Sequence, residues 1–324
     1  MSEQLPPPVA HDPRRETRPE TARDVDLDRI EKTAACHLEP ATQWITGRSC
    51  MQIEGRVFVV TGAGNGIGRC VALELIARGA VVVGADRDEQ ALAATAALVT
   101  NRERFTAHPI DICDRVAVAA FPGNVIASHG QVDGLFNIAG IAQELQAVAD
   151  LSDARIETLM QVNFFGAVWM SRAFLPHLLQ RPRGIIMNTS SLSAIVPVPG
   201  SAVYGASKAA LALFSYGLAQ DLRGRSNVTV TTVLPGSVWT DLVRKVAQQM
   251  GAPEKLAKGF SAQPEQVARR IVDATAKGRG RVVIGKDAHV YDTVRRLSTR
   301  LADRLSYIQV GHGVYPKRTA PTPQ

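Results

Sequence analysis

Short apolar runs alternate with stretches of helical periodicity from Gly55 onward, and this alternation limits the fold more than any other feature of the chain. The runs fall at residues 57–60, 80–85, 105–110, 135–140, 185–187, 228–234 and 281–285. Runs that are apolar at successive positions are typical of strands buried on both faces, and helices between them supply the crossovers that parallel strands need. The sequence therefore predicts an α/β fold, a parallel sheet with helices on its faces.

The two ends of the chain differ from this central part. Residues 1–50 are rich in Pro, Arg, Asp, Glu and Thr and lack a sustained apolar period, so we expect a mostly disordered extension. Met51 stands directly before the first strand pattern, and we hypothesise that translation of the native protein begins there. The folded domain is expected over residues 51–288, and residues 289–324 are expected to form a basic helix and tail, with one amphipathic helix over 290–305.

Composition and charge exclude several classes of protein. The chain has 45% hydrophobic and 21% charged residues, no apolar run of about 18 residues and no apolar signal core, which predicts a cytoplasmic protein without an integral membrane segment. The net charge of +7 comes from the C-terminal part, since residues 277–318 carry ten Lys or Arg and three Asp. Without a nucleic-acid motif this excess favours a solvated basic face, and no nucleic-acid partner is expected.

The cysteines give no sign of a disulfide framework or of a metal site. Cys36, Cys50, Cys70 and Cys113 show no CxxC spacing. Cys70 and Cys113 fall in predicted core elements, where a free thiol behaves as a small hydrophobic group.

A glycine-rich turn joins the first predicted strand to the first helix. The run 57–60 leads directly into the sequence TGAGNGIG at 61–68, and the following helix places Ile67 and Val71 inward. Glycines let the backbone approach a pyrophosphate, and the free amides of a helix N-terminus face the anion. A glycine pattern alone is weak evidence, but the flanking strand and helix make it a stronger indication of a dinucleotide site.

The second strand ends at Asp86, which bears on the choice of cofactor. A carboxylate here accepts hydrogen bonds from the adenosine ribose and repels a 2′-phosphate, which favours NAD over NADP. Arg87 next to it could instead hold that phosphate, whereas Asn65, where a basic residue could reach the phosphate, is neutral. The alternative interpretation of Asp86 is the N-cap of a helix over 88–99.

Tyr204 and Lys208 lie four residues apart in a segment with helical periodicity, so their side chains share a helix face. A phenol loses its proton at about pH 10, and a nearby ammonium favours the phenolate. Ser191 follows the run 185–187 and is expected at a strand end. These three groups together would handle protons, although the Tyr–Lys pair alone is more often a half-buried tyrosine beside a solvated lysine.

Other segments complete the predicted crevice or shape its helices. The run 105–110 ends at Asp111 and Ile112, placed to meet an adenine, and the turn over 235–240 follows the run 228–234. An amphipathic, lid-like segment covers 241–260. Pro122–Gly123 is expected to break or kink a helix near Phe121. Asn163 lies in a predicted long apolar helix over 159–179. Its amide could hold a water or stabilise a kink, or it could be a core asparagine whose hydrogen bonds are all made within the protein, and the sequence favours neither interpretation.

Together these motifs resemble the compact branch of the short-chain dehydrogenase/reductase superfamily. The resemblance covers residues 52–285 in order, and it rests on 61–68, Asp86, Asp111, 137–140, Asn163, Ser191, 204–208 and 235–240. It implies a single doubly wound Rossmann-type catalytic domain with a parallel sheet of about seven strands and helices on both faces. It also implies a homotetramer or homodimer assembled through the helices that bear Asn163 and Tyr204. One departure is Ile138, where the family usually has a second asparagine that braces the sheet.

The resemblance also implies a role for each site residue. Tyr204 would be the general acid/base, and Ser191 would hold the substrate oxygen. Lys208 would lower the pKa of Tyr204 and bind the nicotinamide ribose, while Asn163 would hold a water between Lys208 and solvent. The implied cofactor contacts, besides Tyr204 and Lys208, are Gly62, Gly66 and Gly68 at the pyrophosphate, Asp86 at the ribose, Asp111 and Ile112 at the adenine, Asn137 and Gly140 on the far side, and Val238 and Thr240 at the carboxamide. Further implied contacts with the cofactor are Asn65, Ile67, Arg87, Pro235 and Gly236.

The predicted function is an NAD-dependent oxidoreductase that interconverts a hydrophobic secondary alcohol and its ketone by hydride transfer. The expected pocket is apolar, with Leu145, Ile195, Val196, Pro197, Val198, Leu242, Val246 and Met250. One alternative is a reductase of carrier-bound 3-oxoacyl groups, which would prefer NADPH. The other is a non-catalytic dinucleotide-sensing protein, a class that tends to lose the tyrosine or the lysine.

Overall fold

The computed structural model describes residues 50–311 apart from 250 and 252, and without the side chains of 242, 246, 249, 256, 257 and 309. The predicted N-terminal extension, except for Cys50, and the last part of the predicted basic tail therefore lie outside the described residues.

Seven parallel strands form one sheet. They are β1 Val57–Thr61, β2 Val81–Asp86, β3 Phe105–Pro109, β4 Gly134–Asn137, β5 Gly184–Thr189, β6 Val228–Pro235 and β7 Arg281–Ile284. Their order is β3-β2-β1-β4-β5-β6-β7, and every neighbouring pair is parallel. This confirms the predicted α/β fold. The strand order reverses between β1 and β4, and in such sheets ligands bind beyond the carboxyl ends of the strands at that point.

Helices cover both faces of the sheet. They are α1 Gly66–Ala77, α2 Glu89–Ala97, α3 Arg115–His129, α4 Asp153–Met160, α5 Ala167–Leu178, α6 Ala202–Asp221, α7 Asp241–Gln249, α8 Glu254–Phe260, α9 Pro264–Ala276, α10 Lys286–Leu297 and α11 Thr299–Ser306. A π-helical turn, Gln161–Gly166, joins α4 to α5. Two apolar clusters lie on opposite faces: Phe58 and Val60 of β1 belong to one, and Val59 belongs to the other. All five residues of β1 are buried, as the continuous apolar run predicts.

The sequence predicts a break or a kink at Pro122–Gly123, and a break does not occur, because α3 continues through both residues. A proline inside a helix removes one backbone hydrogen bond. Here Asp114 caps the first turn by accepting from the amides of Val116 and Ala117. Phe121 and Pro122 are themselves buried, so packing against the sheet outweighs the lost bond.

The single helix predicted over 290–305 is also wrong, because α10 and α11 meet at Ser298. This residue is extended, with φ −156°, and its side chain accepts from the amide of Leu301 to cap α11. On the apolar side of the predicted helix, Val290 and Leu297 make little contact with the domain, since they are 60% and 82% exposed. Small residues make the contact instead: Ala288, Ala302 and Ser306 are buried.

Two cysteines are less deeply placed than expected. Cys70 and Cys113 are half-buried rather than core residues. Burial raises the pKa of each thiol to about 11, so both stay protonated and unreactive at neutral pH. Within the described ranges, no helix is both long and apolar enough to cross a bilayer.

Candidate active site

A cleft of about 380 Å³ opens at the carboxyl ends of the strands. Most of the site residues predicted from the sequence line it: Gly62, Asn65, Gly66, Ile67, Gly68, Asp86, Arg87, Asp111, Ile112, Gly140, Ser191, Tyr204, Lys208, Pro235, Gly236, Val238 and Thr240. Asn137 and Asn163 are the two exceptions.

The glycine turn forms the floor of the cleft between β1 and α1. Gly62 and Gly66 have φ values of 70° and 53°, a region that favours glycine. A Cβ at Gly68 would overlap the carbonyl of Gly62, so α1 can begin this close to β1 only with glycine there. Asn65 caps α1 by accepting from the amide of Gly66 at 2.7 Å. A backbone turn without side chains at a helix N-terminus fits the pyrophosphate of a dinucleotide.

Asp86 is held against this turn. One carboxylate oxygen accepts from the amide of Gly64 at 3.0 Å, and the other accepts from the amide of Asp88 at 3.2 Å. Asp88, not Asp86, caps α2, because its side chain accepts from the amide of Ala91. The N-cap interpretation of Asp86 is therefore wrong, and its carboxylate is oriented beside the glycine turn.

The hydroxyl, the phenol and the amine predicted to work together do converge. Tyr204 is the third residue of α6, and its phenol is hydrogen-bonded to Ser191, which follows β5. Lys208 lies one helical turn later and donates from Nζ to the carbonyl of Thr189 at 3.0 Å. Ser190 ties the strand end to the helix, because its hydroxyl donates to the carbonyl of Lys208 at 2.8 Å.

Burial dominates the electrostatics of this group. It raises the pKa of Tyr204 above its ordinary value, and the hydrogen bond from Ser191 opposes that rise. Burial also lowers the pKa of Lys208 to about 8. The sequence led us to expect that Lys208 lowers the pKa of Tyr204. The pKa of Tyr204 is shifted upward instead, because the phenol is buried.

Asn163 lies behind the cleft wall in the π-helical turn and is fully buried. Its side-chain oxygen accepts from the amide of Ile141 at 2.8 Å, and its nitrogen donates to the carbonyl of Ile141 at 3.0 Å and to the hydroxyl of Ser207 at 3.2 Å. The Ser207 hydroxyl donates in turn to the carbonyl of Tyr204. Protein groups thus satisfy this amide, and it braces the segment after β4 against α6. A Cβ at Gly140 would lie 3.1 Å from both Asn163 Oδ1 and Lys208 Nζ.

The prediction that Asn137 contacts the cofactor is not supported. Asn137 pairs in register with Asn188, so the two side chains leave the same face of the sheet. The Asn137 amide donates to Asn188 Oδ1 at 2.8 Å and to the hydroxyl of Ser171 at 3.0 Å. The side chain is 3% exposed, and its nitrogen is bonded inside the fold, whereas Oδ1 is buried without a hydrogen-bond partner among the described residues.

The residues of the expected apolar pocket are placed differently. Leu145 and residues 195–198 are not among those that line the cleft, and the side chains of Leu242 and Val246, with Met250, lie outside the described residues. The apolar lining comes instead from Ile110, Ile138, Ile141, Val162 and Val243, besides the predicted residues. Sequence reasoning also missed Asp241, which accepts from Asn65 Nδ2 at 3.0 Å across the cleft.

Comparison with known proteins agrees with this geometry. The sequence profile described as short chain dehydrogenase matches residues 56–251. The Mycobacterium tuberculosis protein SadH is 36% identical over 261 residues, which cover 78% of this chain and 94% of SadH. Meso-2,3-butanediol dehydrogenase of Serratia marcescens is 34% identical over 220 residues, which cover 67% of this chain and 86% of the relative.

Solved structures show the same fold. A short chain dehydrogenase/reductase from Burkholderia phymatum in complex with NAD has a TM-score of 0.69 at 24% identity, covering 85% of this chain and 100% of that chain. A short chain dehydrogenase from Burkholderia cenocepacia in complex with NADP has a TM-score of 0.66 at 29% identity, covering 78% and 97%. The chain therefore belongs to the short-chain dehydrogenase/reductase family, oxidoreductases that act on CH–OH groups.

Proposed function

We propose that this protein interconverts a hydrophobic secondary alcohol and its ketone, with NAD as the cofactor. The observation that carries the proposal is the convergence of Ser191, Tyr204 and Lys208 at the wall of a cleft whose floor is the glycine turn. These groups come from the end of β5 and the start of α6. Because β5 is a buried strand and α6 packs against the sheet, the site is preorganised.

The side chains of Ser191, Tyr204 and Lys208 have different roles at the same substrate oxygen. A nicotinamide bound in the cleft supplies the hydride acceptor or donor. The hydroxyl of Ser191 and the phenol of Tyr204, already hydrogen-bonded to each other, orient the oxygen, and Tyr204 takes or gives its proton. Lys208 carries a positive charge below about pH 8, and it stabilises the phenolate that forms when Tyr204 gives up its proton. Asn163 and Ser207 hold the backbone around Tyr204.

The proposed preference for NAD rests on Asp86. Its carboxylate is held in place by the amides of Gly64 and Asp88. It would therefore remain in position to repel the 2′-phosphate of NADP. We expect the wild-type protein to show a higher kcat/KM with NAD than with NADP. We expect Asp86→Asn to lower the ratio of kcat/KM with NAD to kcat/KM with NADP by about tenfold or more, because the substitution removes the charge that would repel the 2′-phosphate.

Asp88→Asn is the matched control for this prediction. Asn is as good an N-cap as Asp, so α2 stays capped and the ratio of kcat/KM values should not change. A wild-type preference for NADP, or an unchanged ratio in Asp86→Asn, would contradict the assignment to NAD.

The proposed substrate class rests on the apolar lining of the cleft, which Ile138, Ile141, Val162 and Val243 provide. Apolar walls with a few convergent polar groups favour hydrophobic ligands held by one polar point. Initial rates with NAD and NADP should be measured across secondary alcohols of increasing hydrophobic size. Turnover confined to small charged hydroxy acids, or to 3-oxoacyl thioesters with NADPH, would refute the proposed substrate class.

We further propose that the protein is cytoplasmic and works as a homodimer or homotetramer. The support for assembly through α5 and α6 is apolar surface there: Leu213 of α6 is 72% exposed. Phe164, beside α5, packs edge-on against Phe214 of α6. Sedimentation at several protein concentrations tests this, and a monomer at micromolar concentration would refute it.

A further inference from the structure

Gln143 is the one buried residue in the segment 141–147, all of which the structure describes, and it is 2% exposed. This segment has no regular secondary structure and follows the cleft-lining residues Gly140 and Ile141. A buried polar side chain in a loop needs hydrogen-bond partners within the protein, because burial removes it from water. The partners of Gln143 therefore indicate what it does.

Both ends of this side chain bind the start of α6. Its oxygen accepts from the amide of Tyr204 at 3.0 Å, and its nitrogen donates to the carbonyl of Gly200 at 2.9 Å. Ser201, the N-cap of α6, makes no capping bond with its own side chain. The first amides of a helix have no partner within the helix, so Gln143 supplies from a distant segment the cap that Ser201 does not.

The amide so capped belongs to the residue that carries the phenol. A shift of the first turn of α6 moves the Cα of Tyr204 and therefore its hydroxyl, whereas Ser191 is anchored at the end of β5. We propose that Gln143 is a positioning residue that aligns Tyr204 with Ser191 by holding the first turn of α6 against the segment 140–143. This inference rests on the proposed function, because alignment matters only if Tyr204 transfers the proton.

The first test is Gln143→Met, which keeps the length of the side chain and removes both hydrogen bonds. We expect kcat to fall about thirtyfold, since a small misplacement of a reacting group lowers the rate strongly. The substrate KM and the dissociation constant of NADH, measured by fluorescence, should stay within about threefold because the cleft floor is unchanged. The rise of alcohol oxidation with pH should move to higher pH, since the hydrogen bond from Ser191 is what lowers the pKa of Tyr204.

Gln146→Met is the matched control in the same segment. The Gln146 side chain donates to the carbonyl of Asp150 at 2.8 Å, and its backbone amide donates to the carbonyl of Gly200. Substitution removes the first bond and keeps the second, so kcat and its pH profile should match the wild type.

Gln143→Glu tests the same contact within one folded variant. A protonated carboxyl group can donate to the carbonyl of Gly200, and the ionised form cannot. The ratio of its kcat to that of the wild type should therefore fall as pH rises through the titration of the new group. Should Gln143→Met fail to fold, this ratio decides the matter.

Three results would overturn the proposal: an unchanged kcat in Gln143→Met, an equal loss of kcat in Gln146→Met, or a kcat ratio for Gln143→Glu that does not depend on pH.

Failure of the proposed function is a separate outcome, recognised when the wild type turns over no alcohol or ketone. The contact is then judged without substrate, by hydrogen exchange at the Tyr204 amide and by ultraviolet titration of its phenol, with Tyr204→Phe as the blank. Faster exchange and a shifted titration in Gln143→Met alone support it, and unchanged values refute it.

Discussion

Replacement of Tyr204 by phenylalanine is expected to lower kcat by about a thousandfold while the protein remains folded. The change removes only the phenolic oxygen, the atom that is hydrogen-bonded to Ser191 and that transfers the proton in the proposed mechanism. General acid–base catalysis contributes about 10²- to 10⁴-fold, and no other titratable side chain binds Ser191 in the described part of the chain. Steady-state kinetics with a hydrophobic alcohol and NAD, together with the affinity for NADH, measure the effect.

Tyr216→Phe is the matched control for this loss. Tyr216 lies in the same helix, α6, and its hydroxyl is hydrogen-bonded to Arg281 rather than to a cleft residue. Its substitution should leave kcat within about threefold of the wild type, as expected for a group that takes no part in the transition state. A Tyr204→Phe variant that keeps more than about a tenth of the wild-type kcat would exclude Tyr204 as the acid/base, given the size of such effects.

The features predicted from the sequence are those set by local pattern. The apolar runs predict strands because burial on both faces leaves no polar positions, and the glycine turn is predicted because its backbone needs residues without a Cβ. Tyr204 and Lys208 are predicted as neighbours because helix geometry places residues four apart on one face. Ser191 joins them only because β5 ends beside α6. The residues indicate a hydroxyl at a strand end, and the order of the strands decides that this hydroxyl lies beside Tyr204.

The features that were missed depend on where side chains point in the folded structure. Nothing local shows that Gln143 reaches the amide of Tyr204, 61 residues away, or that Asn137 faces Asn188 instead of the cleft. The same holds for Pro122, which propensity treats as a helix breaker. Packing of α3 against the sheet overrides that propensity. Ser298 did carry a local signal, because serine is a good N-cap, and the amphipathic pattern across it concealed the signal.

The two ends of the sheet serve different purposes. The carboxyl ends of β1, β4 and β5 carry the cleft, whereas the amino ends meet at Asp133, which precedes β4. Its carboxylate is fully buried and accepts from Arg56 at 3.1 Å, from Arg181 at 2.9 Å and from the amide of Val57 at 3.0 Å. Stability and catalysis should therefore be separable by mutation.

Asp133→Ala is expected to lower the free energy of unfolding by about 3 kcal/mol or more, since removing one member of a buried ion pair leaves its partners uncompensated. Arg56 and Arg181 are 30% and 26% exposed and can regain some hydration. We therefore expect a loss of about 3 rather than about 5 kcal/mol. Urea denaturation followed by circular dichroism measures it. The kcat per folded molecule should not change, because the cleft lies at the opposite ends of the strands.

Asp273→Ala provides the comparison. Asp273 pairs with Arg78 at 2.6 Å but is 52% exposed, and exposed ion pairs contribute about 1 kcal/mol or less. If the two variants lost equal stability, burial would not be the cause of the Asp133 effect. If Asp133→Ala instead lowered kcat per folded molecule while leaving stability intact, the amino ends of the strands would be coupled to the chemistry. Stability and catalysis would then not be separable by mutation at the two ends of the sheet.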